Sequence, residues 1–225
     1  LRFFMIEAFT IPTSSMEKTI NVGDYIFVNK LRFGPRLPNT PLSLPFTHHT
    51  IPFTKTRKSY LTWLQLRYKR LAGFGKIKPY DVVVFNFPEG DTVVLNYPKA
   101  DETYYTLSRK YGGKFVTDYY KTAIRPVDKR EYYIKRCIGT PGDTIEIIHG
   151  VAYINGIQEK QPPRLQYNYF FIAEGRSDSS LFSELDISLY DINYNEFNSI
   201  YEVPLTKDNL SLTRNNSKIK GIRKH

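Results

Sequence analysis

Short runs of β-branched and aromatic residues, bounded by polar and turn residues, recur along this chain and predict strands more often than helices. Gly23–Lys30 reads as a strand after a Gly23-Asp24 turn. Asp81–Phe87 is a valine-rich strand, and Thr92–Tyr97 follows it across the turn Pro88-Glu89-Gly90-Asp91. Glu131–Ile138 is another strand, closed by Gly139-Thr140-Pro141-Gly142-Asp143. Thr144–Ile148 and Val151–Ile154 pair as a hairpin across His149-Gly150, and Asn155-Gly156 supplies a second tight turn. Pro35, Pro38, Pro41, Pro45 and Pro52 make residues 34–54 an extended loop. Ser59–Leu71 is the best helical candidate, with Leu61, Trp63, Leu64, Leu66 and Tyr68 set among Arg67, Lys69 and Arg70. Residues 101–128 are mixed and take no firm assignment, while 165–205 read as short strands or loops. The pattern as a whole predicts a mostly β fold of antiparallel sheets, with long inserted loops and few short helices.

Composition excludes a disordered chain: 41% of the 225 residues are hydrophobic and 15% aromatic. The net charge of +10 suits a solvated face or an anionic membrane surface. The basic residues recur along the chain, in Lys55–Lys58, Arg67–Arg70, Lys129-Arg130 and the last twenty residues, and are expected not to form one patch. A basic stretch with apolar residues such as Ser59–Leu71 can rest on a bilayer, but a helix packed on the body is the preferred reading. The single cysteine, Cys137, excludes a disulfide within the chain and reads as a small buried hydrophobe. The four histidines lack metal-ligand spacing, so neither a metal nor a cofactor is expected. Leu1–Ile11 is apolar but far short of the ~20 residues of a spanning helix. Because the chain starts at Leu1 rather than Met, it reads as a piece of a longer protein, and this run as a membrane-anchor stub or a first strand.

Three segments carry candidate chemistry: Ile11-Pro12-Thr13-Ser14-Ser15-Met16 followed by Val22-Gly23-Asp24, then Asp81-Val82-Val83-Val84-Phe85, then Tyr133-Ile134-Lys135-Arg136 running into Gly139-Thr140-Pro141-Gly142-Asp143. Singly each is weak. A Ser after Pro usually marks a turn, a Lys among aromatics usually faces solvent, and valine runs are usually core. Together, and in this order, they resemble the type I signal peptidases, serine proteases with a Ser/Lys dyad. The resemblance covers residues 1 to about 160.

That resemblance implies antiparallel β-sheets of the signal peptidase type, with Ser15 as nucleophile and Lys135 as general base. A hydroxyl is inert without a neighbouring base, and an amine with an ordinary pKa of about 10.4 accepts a proton only when burial favours its neutral form. Arg136 is expected on the opposite face of the strand. The backbone N–H of Ser15 and the hydroxyl of Thr13 are the implied oxyanion donors, and Ser14 is left out of the chemistry. Phe9, Ile11, Pro12, Met16, Ile20, Tyr133 and Ile134 are the implied substrate-binding residues. They would form shallow pockets for an extended signal peptide ending in an Ala-x-Ala pattern.

The expected division is 1–11 anchor stub or first strand, 12–160 catalytic β domain with an inserted loop at 34–76, 161–206 extension or cap, and 207–225 a disordered basic tail. The expected partners are signal peptides of secreted preproteins and a membrane lipid surface, with the catalytic part on the outer face of the cytoplasmic membrane. The Gly-Asp-Asn box typical of the family's C-terminal part is not found in this chain. The alternative is therefore a catalytically impaired relative with a binding or assembly role. A self-cleaving repressor of the same Ser-Lys type stands as a rival; it needs a scissile Ala-Gly or Cys-Gly pair. A nucleic-acid module is set aside because no recognition motif is present.

Overall fold

The computed structural model describes residues 5–45, 47–54, 57–95, 102–173, 179–196 and 199–225. Strands outnumber helices among them, so the fold is mostly β. Strands β1 (Ile6–Thr10) and β2 (Tyr25–Asn29) form a two-stranded ribbon. The chain divides into two compact units, one made of the chain up to Glu7 and Phe27–Cys137, the other of Ala8–Ile26 and Ile138–His225.

The first unit continues with β3 (Val82–Asn86), β4 (Thr92–Val94), α1 (Tyr104–Tyr111), α2 (Gly113–Tyr119), β5 (Thr122–Ile124) and β6 (Tyr132–Arg136). β3 pairs antiparallel with β6, from Val82 opposite Arg136 to Asn86 opposite Tyr132, and β4 pairs with β5. The strand expected over Thr92–Tyr97 is formed at Thr92–Val94, and its last two residues lie outside the described ones. The unassigned stretch 101–128 holds both helices. Thr103 caps α1 in a reciprocal box with Thr106, and Leu107 of α1 and Val116 of α2 are fully buried. The β-prone pair Tyr104-Tyr105 hides this helix in the sequence.

Between β2 and β3 lies the insert, and Ser59–Leu71 within it is not a helix. Its N–H groups go to the proline-rich arm instead: Leu61 to the Leu42 carbonyl (2.9 Å), Leu66 to Asn39 (2.8 Å) and Leu71 to Pro35 (2.9 Å). Prolines cannot donate, but their arm keeps its carbonyls, so the two arms pair as an irregular antiparallel ladder with bridges at Arg36–Arg70 and Ser43–Tyr60. The arms cross at two glycines. A Cβ on Gly34, whose φ is +83°, would lie 1.9 Å from the Leu71 carbonyl oxygen, and one on Gly73 would lie 2.3 Å from the Gly34 nitrogen. Residues 25–80 contain no Asp or Glu, so the basic residues of the insert have no acidic neighbours in sequence.

A buried polar cluster ties the insert to the segment before β6. Asp128 Oδ2 accepts from both the N–H and the hydroxyl of Thr40, each at 2.9 Å. Arg125 pairs with Glu131, and the Lys129 ammonium lies 5.3 Å from the Tyr60 ring, its pKa lowered by burial against the opposing pull of Asp128. His48 bonds the Arg130 carbonyl (2.9 Å) and stacks on Tyr132. Burial lowers the pKa of His48, and burial with the Arg125 charge takes His49 to about 4.

The second unit holds β7 (Ile145–Ile148), β8 (Val151–Ile154) and β9 (Ile157–Gln158) as a three-stranded meander with the predicted turns. β10 (Tyr167–Ala173), α3 (Ser179–Glu184), β11 (Asn193–Asn195), β12 (Ile200–Leu205), α4 (Lys207–Asn215) and β13 (Ile219–Lys224) follow, with a four-stranded sheet in the order β11-β12-β10-β13. Its core is Phe171, Ala173, Leu181, Phe182, Leu185, Ile187, Tyr201, Val203 and Leu205.

The tail expected to be disordered, 207–225, is therefore folded. Thr206 caps α4 through the Asn209 N–H, and Asn209 and Thr213 are buried. β13 pairs antiparallel with β10, and Ile219 and Ile222 pack on the core. Too few apolar residues mark this stretch for its period to show, because only one side of one edge strand is covered. The expected boundary at 206 runs through this sheet.

Two outcomes are expected. Phe171→Ala should cost about 3–5 kcal/mol, read as a lower urea midpoint, and an unchanged midpoint would refute the core assignment. Folding also holds His48 and His49 neutral, whereas in the unfolded chain they titrate near 6.5. The unfolded chain then binds more protons between about pH 4 and 6.5, so stability should fall as pH drops through that window. His49→Gln should shallow the fall, and a slope identical to the parent's would refute the assignment.

Candidate functional site

The serine segment lies in the second unit. The chain leaves β1 at Ile11, which is buried and fixed by a two-way exchange: its N–H bonds the Asp24 carbonyl (3.0 Å), and its own carbonyl accepts from Gly23 (2.9 Å). Pro12 and Thr13 are exposed, and a tight coil follows in which Glu17 N–H reaches the Ser14 carbonyl (2.7 Å) and Ile20 N–H reaches Met16 (2.9 Å). Met16 is buried and pins the coil from beneath. Ser15 is exposed at its start, while Phe9 and Ile20 are half-buried.

Side-chain contacts from residues 186–191 brace this coil. Ser14, expected to play no part, donates its hydroxyl to Asp191. The Lys18 ammonium pairs with Asp186 (2.7 Å) and also bonds its carbonyl (2.9 Å). Burial raises the Glu17 carboxyl pKa, with a bond from Ser188 opposing and Asp191 adding to the rise. No sequence signal points to this brace, because its two sides lie about 170 residues apart.

The lysine segment lies in the first unit. On β6, Lys135 stands opposite Val83 and Tyr133 opposite Phe85. Alternation puts these four on one face, with Ile134, Arg136 and Tyr132 on the other. Arg136 is thus separated from Lys135 as expected, and its guanidinium bonds the Tyr80 carbonyl (3.1 Å). Ile134 shares that opposite face, so the near apolar neighbours of Lys135 are Tyr133, whose ring centre is 5.9 Å from Nζ, and Val83 across the ladder. The amine is half-buried, and desolvation lowers its pKa.

After Cys137, which is half-buried, the Gly139–Asp143 segment makes a self-capped turn. The Asp143 carboxylate accepts from the Thr140 N–H (2.7 Å), the Thr140 hydroxyl (2.8 Å) and the Asn155 amide (2.9 Å), which lower its pKa. Gly142 sits at φ +99° in that turn. Among the described residues no group of three or more His, Cys, Asp or Glu is placed to hold a metal ion, and no helix is long and apolar enough to cross a membrane.

Comparison with known proteins agrees with these segments. The family described as signal peptidase, peptidase S26, matches residues 1–187. Signal peptidase I of Rickettsia canadensis is 27% identical over 176 residues, 78% of this chain and 44% of that protein. Signal peptidase I of Rickettsia rickettsii is 29% identical over 175 residues, 78% and 43% of the two chains. A shorter stretch of 38 residues, 17% of this chain and 13% of the relative, is 55% identical to signal peptidase I of Pseudomonas fluorescens. The chain spans less than half the length of these relatives. No solved structure matches it. An Ala72-Gly73 pair does occur in the insert, so the self-cleaving rival is set aside by the family match and not by want of a scissile pair. With the family matched across 187 of 225 residues, the chain belongs to the signal peptidases of peptidase family S26.

Proposed function

We propose that this chain is the catalytic part of a membrane-associated serine endopeptidase that removes signal peptides from secreted preproteins after Ala-x-Ala-like sites. The observation that carries the reading is the desolvated amine of Lys135, held on a strand face beside Tyr133 and Val83 with its pKa lowered. A lysine base must give up its proton, and desolvation moves the amine in that direction.

In this proposal Lys135 Nζ takes the proton of Ser15 Oγ as that oxygen attacks the carbonyl carbon of the scissile bond. The Ser15 N–H and the Thr13 hydroxyl donate to the oxyanion. The ammonium then returns the proton to the leaving amine, and water hydrolyses the acyl-serine with Lys135 again as base. Phe9, Ile11, Pro12, Met16, Ile20 and Tyr133 form or support the walls that select small substrate residues, whereas Ile134 lies on the face of β6 opposite Lys135. Exposed Pro12 and half-buried Phe9, Ile20 and Tyr133 can touch substrate directly, while buried Ile11 and Met16 shape the turn beneath. The protein acts at the outer face of the cytoplasmic membrane. A catalytically impaired relative is the second reading, and the comparison of variants below separates the two.

The test is hydrolysis of a signal-peptide reporter in detergent. Ser15→Ala and Lys135→Ala should each lower kcat by at least about a thousandfold, the scale of losing a nucleophile or its base. The parent rate should climb from neutral pH into mild alkali as Lys135 loses its proton. A profile flat from pH 5 upward, or equal rates in all three proteins, would overturn the reading in favour of the impaired relative.

A further inference from the structure

Residues 25–80 hold eleven of the chain's 32 Lys and Arg and none of its 22 Asp and Glu. The positive excess is therefore confined to the insert and its flanks, and elsewhere bases and acids nearly balance. Every residue from 61 to 79 is exposed. This outer arm interleaves Arg67, Lys69, Arg70, Lys76 and Lys78 with large apolar side chains, among them Trp63 at 75% and Phe74 at 91% exposure. Water-facing apolar groups in such number mark an interaction surface, and like charges gathered this densely repel one another. One kind of partner relieves both costs, namely an anionic surface with an apolar layer beneath it.

The root of the arm also offers a place for the anion. A surface cavity of about 360 Å³ is lined by Lys58, Arg125 and Arg130, with Thr62 and Gln65 as further donors. Asp91 lines it too, and its carboxylate is engaged by the Thr92 hydroxyl (3.0 Å) and the Tyr105 hydroxyl (3.1 Å). Thr62 and Gln65 alternate in sequence with Leu61, Trp63, Leu64 and Leu66. A phosphate drawn into the cavity would bring those apolar neighbours to the depth of the acyl chains. We propose that the insert docks on anionic bilayers, with a net-anionic lipid headgroup seated between Lys58 and Arg130, beside Arg125, which is buried and paired with Glu131. Nucleic acid would satisfy the charges but would leave Leu61, Leu64, Leu66, Leu71 and Ile77 without an apolar partner. The proposal stands apart from the Ser15 and Lys135 chemistry.

Trp63 is the sole tryptophan, so its emission reports this arm directly. With the full chain, vesicles of phosphatidylcholine containing about one-third phosphatidylglycerol should shift that emission to the blue, and pure phosphatidylcholine should not. Added salt should weaken the binding. Lys58→Gln, Arg67→Gln and Lys69→Gln combined should weaken it about a hundredfold, at about fivefold per cation. The comparison of the two lipids on the unaltered chain needs no variant and stands whether or not the triple variant folds. Equal binding to both lipids, no shift with either, or an equal shift with duplex DNA would overturn the proposal. Ser15→Ala should bind vesicles as the parent does. Reporter cleavage without a Trp63 shift would sink docking alone, and docking without cleavage would sink the peptidase reading alone.

Discussion

The ladder between β3 and β6 is the constraint on which the lysine segment depends. Five consecutive residue pairs set which side chains share a face, and a slip by one would exchange Lys135 for Arg136. An arginine there would stay charged at any physiological pH. The register thus decides whether a titratable amine or a permanent cation shares a face with Val83 and Phe85 of β3. Burial then lowers the pKa of that amine.

A second constraint holds the insert to the unit that carries this ladder. Asp128 is buried and gives one oxygen to two donors of Thr40, itself fully buried. A buried carboxylate accepting two bonds is costly to strip of them. Asp128 lies four residues before Tyr132, the first residue of β6, so the anchor of the insert and the strand of Lys135 are fixed by adjacent stretches of chain. The neutral histidines at the same place belong to this economy of burial, since an added proton there would meet Arg125 and Lys129.

Much of this was legible in the residues. Strands over Tyr25–Asn29, Val82–Asn86 and Tyr132–Arg136, and the turns at His149-Gly150 and Asn155-Gly156, follow from β-branched and aromatic runs and from turn chemistry, which are local. The family was legible from three short segments. Three things were not. Ser59–Leu71 has helix-like composition, but the carbonyls of a distant proline-rich arm take its N–H groups. The last nineteen residues look polar because they give the core only a few apolar side chains, among them Leu210, Ile219 and Ile222. The bonds of Ser14 and Lys18 to Asp191 and Asp186 join segments far apart in sequence, and nothing local announces them. In each case tertiary partners, not local preference, decided the outcome.

The crossing at Gly34 and Gly73 has a bearing on how this protein can change over time. Backbone meets backbone there with no room for a methyl group on either side. The two arms are clamped at their base, and unequal lengthening of one arm near the crossing would pull the glycines apart. Insertions and deletions are best absorbed at the far tip, around Phe53. That tip is accordingly where sequence drift should collect among descendants of this chain, and where an epitope or fluorophore could be grafted while β3 keeps its place.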